Sequence, residues 1–367
     1  MLFSRRTLLG AAAAAGLSCP ALAFFNYRFR WEDFRAANLD AAGRVIDASD
    51  ERRITTSEGQ SYALFFALVA GDRKAFAAIL SWTENNLCGG DMTARLPAWL
   101  WGRIPADRKH PEERWGVLDD NNATDADMWI AYSLMEAARL WNMPEYERRA
   151  RAILAMLKTL VRSIERLGPV PLPSARGFER EGGLRTFNPS YLPTFILRRF
   201  AAADPFWGPV AAACNRLLVR CSMNGYAPDW ATFNADGLHM LGEKDVGSYD
   251  AIRVYLWLGM LNRQDSSRDQ LVRQFYPMVR LTQSLGYVPE KVSMATLAAT
   301  GAGPLGFSAC LLQLFSDVKT ADFVRMKMRS TEMRPETYYQ NCLIMFAQGF
   351  DDGAFSFSVD GRLMLRR

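Results

Sequence analysis

"TTSEGQSYALFFAL", Thr55 to Leu68, places one carboxylate, Glu58, just ahead of a strongly apolar run. Two other stretches repeat the arrangement. "NATDADMWIAYSLMEAARLW", Asn122 to Trp141, carries Asp125 at its start, and "GSYDAIRVYLWLG", Gly247 to Gly259, carries Asp250. An acid in a helix's first turn meets the partial positive charge of the free amides, worth about 0.3–1 kcal/mol. Capping therefore explains any one of the three. It does not require that all three precede aromatic-rich helices.

The chain around them reads as helix nearly throughout. Apolar residues recur at i, i+3, i+4 and i+7 from Ala63 to Val69, Trp129 to Trp141, Tyr146 to Val161 and Ile252 to Leu261. Helix starts are marked by Ser57 with Gln60 as a capping box, Thr124 with Asp127, Asn188 before Pro189, and Ser248 before Tyr249. Pro304 and Pro335 open two later segments. The first four starts are roughly sixty residues apart, and a second helical pattern fills the intervals, as at Arg73 to Asn86 and Pro144 to Ser163. About six helical hairpins follow, stacked as an open solenoid or closed into a double ring. In a closed ring the inner helices run parallel and bring their N-termini, with the three acids, to one mouth. "AFSFSVDGRLML" near the C-terminus is the clearest strand pattern, with Asp360-Gly361 as its turn. No Ser/Gly/Pro-rich linker interrupts the chain, so 24–367 reads as a single all-α domain.

With 49% hydrophobic and 23% charged residues in 367, the composition is globular. The net charge of +5 is scattered rather than gathered into a basic stripe, which excludes a nucleic-acid partner. Residues 1–23 read as a signal peptide: Arg5-Arg6 in "SRRTLL" fits the twin-arginine type, and Ala21-Leu22-Ala23 is an A-x-A cleavage pattern leaving Phe24 first. The alternative is an uncleaved anchor, for which the apolar segment is short and Ala-rich. No later stretch is long enough to span a bilayer, so a periplasmic or secreted protein without stable membrane insertion is expected. The five cysteines beyond Cys19 show no metal-ligand spacing and read as buried free thiols; neither metal nor cofactor is expected. With only His110 and His239 present, acid–base chemistry falls to carboxylates.

Two carboxylates flanking a sugar linkage are what glycoside hydrolysis needs: one protonated to deliver a proton, the other ionised to activate water or attack. Aromatic faces suit pyranose rings. Trp99 and Trp101 stand in "LPAWLWG", and Tyr62, Trp115, Tyr191 and Tyr249 lie near the same helix starts. Core packing is the simpler reading for Trp129, Trp141 and Trp257. Arg253, one turn after Asp250, is placed to pair with it.

At these residues the chain resembles glycoside hydrolase family 8. Ala123 to Trp141 matches its signature, and "TSEGQSYALFFAL" and "GSYDAIRVYLW" match two further blocks. "GRVID", "LPAWLWG" and "NPSYLP" are similar, in order, to the subgroup of periplasmic cellulases encoded with bacterial cellulose synthase. The likeness runs from about Trp31 to Gly349 and leaves the C-terminal tail unmatched. It implies an (α/α)6 barrel that cuts internal β-1,4-glucan bonds with inversion, acting on cellulose and partnered with a cellulose synthase export machinery. By motif position, Glu58 resembles the general acid, Asp250 the general base, and Asp125 the acid at the distorted sugar. Tyr191 and Arg253 match residues that position water and base, and Trp101 falls where a stacking tryptophan is expected. The alternatives are another β-1,4-glycan (xylan, mixed-linkage glucan or chitosan), a non-catalytic glucan-binding partner of the export machinery, and a helical scaffold whose acids only cap.

Overall fold

A computed structural model describes residues 20–106, 112–240 and 245–366. The predicted signal peptide up to Cys19 lies outside the described residues, as does His110. Twelve α-helices are found among the described residues. In chain order they are α1 (Pro20–Asn38), α2 (Ser57–Ala70), α3 (Arg73–Leu87), α4 (Thr124–Trp141), α5 (Pro144–Lys158), α6 (Thr194–Ala203), α7 (Trp207–Cys221), α8 (Ile252–Met260), α9 (Arg268–Leu285), α10 (Leu305–Leu311), α11 (Val318–Ser330) and α12 (Tyr338–Asp351).

Even- and odd-numbered helices differ in the way their residues dictate. Every residue of α2 except Glu58 is buried, and α8 is buried along its whole length. A helix that is apolar all round must be enclosed by others. Helix α5 instead buries only Tyr146, Ala150, Ile153, Leu154 and Leu157, a single stripe, and turns its charges outward. The even helices therefore form an inner ring and the odd ones an outer ring.

Trp129 of α4 sits at the centre. Its ring centroid lies 5.1 Å from that of Phe65 (α2), 5.8 Å from Phe195 (α6), 5.3 Å from Trp257 (α8) and 5.0 Å from Phe346 (α12). Phe346 in turn packs on Tyr62 and Phe66, which joins the last inner helix to the first. The ring is thus closed, and the barrel is the (α/α)6 form rather than an open solenoid. Fully burying each such aromatic removes 150–250 Å² from water, so this cluster dominates the core.

The hairpin expected at Asp360-Gly361 is present. Phe355–Phe357 pairs with Leu363–Leu365, and Gly361 adopts φ +78°. A Cβ at Gly361 would come within 2.0 Å of the Phe195 carbonyl oxygen, so only glycine fits. Phe357 stacks on Phe195 at 4.0 Å, and Tyr132 donates to the Gly361 carbonyl at 2.9 Å. Buried Glu136 accepts from the Leu363 N–H at 2.9 Å and pairs with Arg139 and Arg199 at 2.5 and 2.6 Å. Glu136 is three turns beyond Asp125 on α4, so the tail floors the barrel at the end opposite the acids.

The helix starts differ in detail from the sequence expectation. Thr56, not Ser57, caps α2, accepting from the Gly59 N–H at 3.0 Å. Gln60 makes no capping box; its buried amide accepts from Val45 N–H at 2.6 Å and donates to Thr83 at 2.9 Å. Thr124 donates to the Leu172 carbonyl instead of capping α4. Asn188 caps only the 3₁₀ turn Pro189–Tyr191, three residues ahead of α6. Ser248 and Asp250 belong to a turn that precedes α8. Gln60, Thr124 and Ser248 give the polar groups that local pattern assigned to caps to partners distant in sequence, whereas Asn188 bonds locally to Ser190. All five cysteines from Cys88 to Cys342 are buried and unpaired.

Candidate active site

The N-termini of α2, α4 and α8 meet at one mouth of the barrel. Glu58 is the second residue of α2 and Asp125 the second of α4. Both line a groove of about 560 Å³ together with Asp250 and Arg253. Trp99, Phe178, Tyr191, Trp230, Tyr249 and Tyr339 supply its aromatic surface.

Arg253, 3% exposed, ties the acids together. Its Nη1 donates to Glu58 Oε2 at 2.6 Å, and its Nη2 donates to Asp250 Oδ1 at 2.8 Å and to Ser190 Oγ at 2.9 Å. Asp125 Oδ2 stands 4.0 Å from the same Nη2. Asp125 Oδ1 is buried without a protein partner, an acceptor left for something in the groove. The Tyr339 hydroxyl donates to the Tyr249 carbonyl at 2.5 Å and accepts from Arg253 at 3.4 Å.

These surroundings set the protonation states. Burial raises the Glu58 carboxyl above the ordinary carboxylate range, and Asp250's charge adds to that; Arg253 and the Tyr62 hydroxyl oppose it. Asp125 is pushed up to about 7, by burial first and by Glu58 second, against Arg253 and the Ala126 N–H. Asp250 is more open, its side chain 31% exposed. One acid able to hold its proton thus faces another at the water-accessible edge, which is the asymmetry acid–base hydrolysis uses.

Of the residues singled out from sequence, Glu58, Asp125, Asp250, Tyr191, Tyr249 and Arg253 come together here. Trp101, Trp115 and Tyr62 do not reach the groove. Trp101 lies on an antiparallel strand, with Trp115 stacked on it at 5.4 Å, Trp82 edge-on at 5.2 Å and the Arg44 guanidinium 4.4 Å from its ring centre. Trp101 is engaged by these three side chains outside the groove, and Trp99, two residues earlier, lines the groove instead. Trp99 stands just ahead of the strand Leu100–Ile104, and a register shift between Leu100 and Trp101 breaks the alternation that would otherwise put residues two apart on one face. Tyr62 is 1% exposed and packs edge-on against Trp129 and Phe346 beneath Glu58. His239 stacks near Phe233, outside the groove.

Sequence reading missed Ser190, Tyr339, Trp230 and Asp229. Tyr339 sits just after Pro335, already recognised as opening a helix, so a position in the inner ring's first turn was its one available signal. Asp229 had none. Its Oδ1 accepts from the backbone N–H groups of Ser248, Asp250 and Ala251 at 2.7, 3.1 and 2.8 Å. Its carboxyl is pushed up to about 6 by burial and by Asp250, while those amides pull it down.

A closed (α/α)6 barrel with carboxylates gathered around one guanidinium, in an aromatic-walled groove, is the architecture of a polysaccharide-cleaving hydrolase. The chain belongs to glycosyl hydrolase family 8, whose model matches residues 2–353. It is 42% identical to an endoglucanase of Escherichia coli O157:H7, across 91% of this chain and 90% of that one. Among solved structures it resembles the endo-1,4-D-glucanase of Vibrio fischeri ES114, with TM-score 0.84, 36% identity, and coverage of 92% of this chain and 98% of the other. The endo-beta-1,4-glucanase CMCax of Acetobacter xylinum is similar at TM-score 0.72 and 26% identity, covering 89% and 98%.

Proposed function

We propose that the protein is an endo-acting β-1,4-glucanase that hydrolyses cellulose chains with inversion at the anomeric carbon. The observation that carries this is the Arg253 fork shared by Glu58 and Asp250. Arms of 2.6 and 2.8 Å joined through one guanidinium keep the bonded oxygens within roughly 8 Å of each other. That reach admits the separation of about 6.5–9.5 Å at which inverting enzymes fit a water between their two carboxyl groups, and equally the about 5–5.5 Å of retaining ones. Inversion is the expectation drawn from the family, and the released anomer decides it. The 1,4-glucanase relatives favour a β-1,4-glucan as substrate.

In this reading the glucan lies along the groove, stacked on Trp99 and on the Phe178–Trp230 pair. Glu58 delivers its proton to the glycosidic oxygen. Asp250 deprotonates a water that attacks the anomeric carbon from the opposite face. Asp125, with its free acceptor oxygen, holds the strained sugar between them. Arg253 and Tyr191 orient Asp250 and the water; as Glu58's proton leaves, Arg253 stabilises the carboxylate that remains. Residues 1–23 direct export to the periplasm, where the enzyme acts beside a cellulose synthase export machinery. No helix among the described residues is long and apolar enough to cross a membrane, which is compatible with that placement.

Proton NMR during hydrolysis of cellopentaose tests the reading. The α-anomer should appear first and then mutarotate. Initial release of the β-anomer would rule out inversion, and no release from any cello-oligosaccharide would rule out the activity.

A further inference from the structure

Asp250 is not held by a helix. It stands in the turn between the strand Val246–Gly247 and α8, where no repeating backbone ladder fixes its direction. What fixes that turn comes from 21 residues upstream, where one carboxylate oxygen of Asp229 gathers the N–H groups of Ser248, Asp250 and Ala251. Asp229's own N–H donates to the Val246 carbonyl at 2.7 Å, closing the clasp from the other side. Ser248 Oγ donates to the Glu290 carbonyl at 2.8 Å. Gly247 is pressed so closely on this segment that a Cβ would lie 2.0 Å from the Ala227 carbonyl oxygen.

We infer that Asp229 is a positioning residue for the reaction, holding Asp250 at the angle from which it can activate water. The inference rests on Asp250 being the general base. Three donors on one oxygen define the turn's orientation more tightly than a single cap does. They also consume the amides that would otherwise turn toward Asp250's own carboxylate. That carboxylate is then left to Arg253 on one side and to the groove on the other. Misplacing a reacting group by about 1 Å costs on the order of 10²-fold in rate.

The test compares Asp229→Ala, Asp229→Asn and Asp250→Asn in the full mature enzyme, with kcat and KM on cellopentaose and a thermal melt for each. Asp229→Ala should remain folded and lose about 30- to 100-fold in kcat, with KM changed by no more than about two-fold. Asp229→Asn, whose amide oxygen can accept the same N–H groups, should recover kcat to within about five-fold of wild type. A purely structural cap would lower the melting temperature and leave kcat intact. Wild-type kcat in folded Asp229→Ala therefore overturns the inference, as does a loss in Asp229→Asn equal to that in the alanine variant. If Asp229→Ala does not fold, Asp229→Ser, with a hydroxyl too short to reach all three amides, is judged by the same kcat criterion. Asp250→Asn separates the two levels: if it turns over at the wild-type rate, the base assignment and the positioning role fall together. If it is inactive while Asp229→Ala is unimpaired, only the positioning role falls.

Discussion

Arg253 Nη1 lies 2.6 Å from Glu58 Oε2, although 195 residues separate them. The contact pairs a permanent cation with the carboxyl that the proposed mechanism needs in its protonated form. Burial and Asp250 raise Glu58's affinity for the proton, and Arg253 lowers it. Arg253 also holds Asp250 at 2.8 Å, so one guanidinium shares its charge between donor and base.

Replacing Glu58 by Gln removes the transferable proton while keeping a side chain that fits. Hydrolysis of cellopentaose should fall by about 10³-fold or more. The melting temperature should hold, because the glutamine amide oxygen can still accept from Arg253 and the protonated acid it replaces is neutral. Calorimetric binding of cellopentaose should be retained. Full activity in the folded variant would remove Glu58 from the reaction.

Stability should increase as the pH is lowered from 8 toward 5. Asp125 at about 7 and Asp229 at about 6 bind their protons more tightly in the folded than in the unfolded chain, and Glu58 and Asp127 shift the same way. Stabilisation from a raised carboxyl is complete below its unfolded value and is lost as pH climbs through the folded one. The change across this window should be on the order of 2 kcal/mol, and Asp125→Asn should flatten it. Below about pH 4 the trend should reverse, since Asp50 and Glu179, held below the usual range by side-chain hydrogen bonds from arginines, then lose their partners' benefit. A melting temperature independent of pH between 5 and 8 would contradict the buried-acid account.

The two neighbouring tryptophans should behave oppositely. Trp99→Ala should raise KM for cello-oligosaccharides about tenfold, equivalent to roughly 1.4 kcal/mol of lost stacking, with little change in melting temperature. Trp101→Ala should leave KM nearly unchanged and destabilise the fold by about 2 kcal/mol, because it removes the ring that Trp115, Trp82 and Arg44 pack against. The reverse pattern in kinetics and melts would put Trp101 in the groove.

Gly361→Val should destabilise the enzyme by about 3 kcal/mol in urea unfolding. The valine would need φ near +78° and would strike the Phe195 carbonyl. Because the hairpin floors the barrel far from the acids, KM of the protein that remains folded should be unaffected. A fully stable variant would show that the hairpin does not close the core.

Much of this molecule is legible in residue order. Helices declare themselves by period, and the inner ones by being apolar on every side, as α2 is around its single charge at Glu58. The acids at the starts of α2 and α4, and Asp250 just ahead of α8, are visible for the same reason, and the hairpin is announced by Asp360-Gly361. Other features were not legible. Whether the hairpins closed was decided by Phe346 reaching Tyr62, Phe65 and Phe66. Which tryptophan faces the groove was decided by Trp115 and Arg44 covering Trp101. The turn bearing Asp250 is capped by Asp229, with no local motif to mark it. Periodicity and capping preference act between residues a turn or two apart, so the chain alone determines its helices and the carboxylates at their ends. Hydrogen bonds and ring contacts between segments depend on where the closed ring brings those segments, and only the tertiary structure decides which acid shares a guanidinium and which carboxylate holds a distant turn.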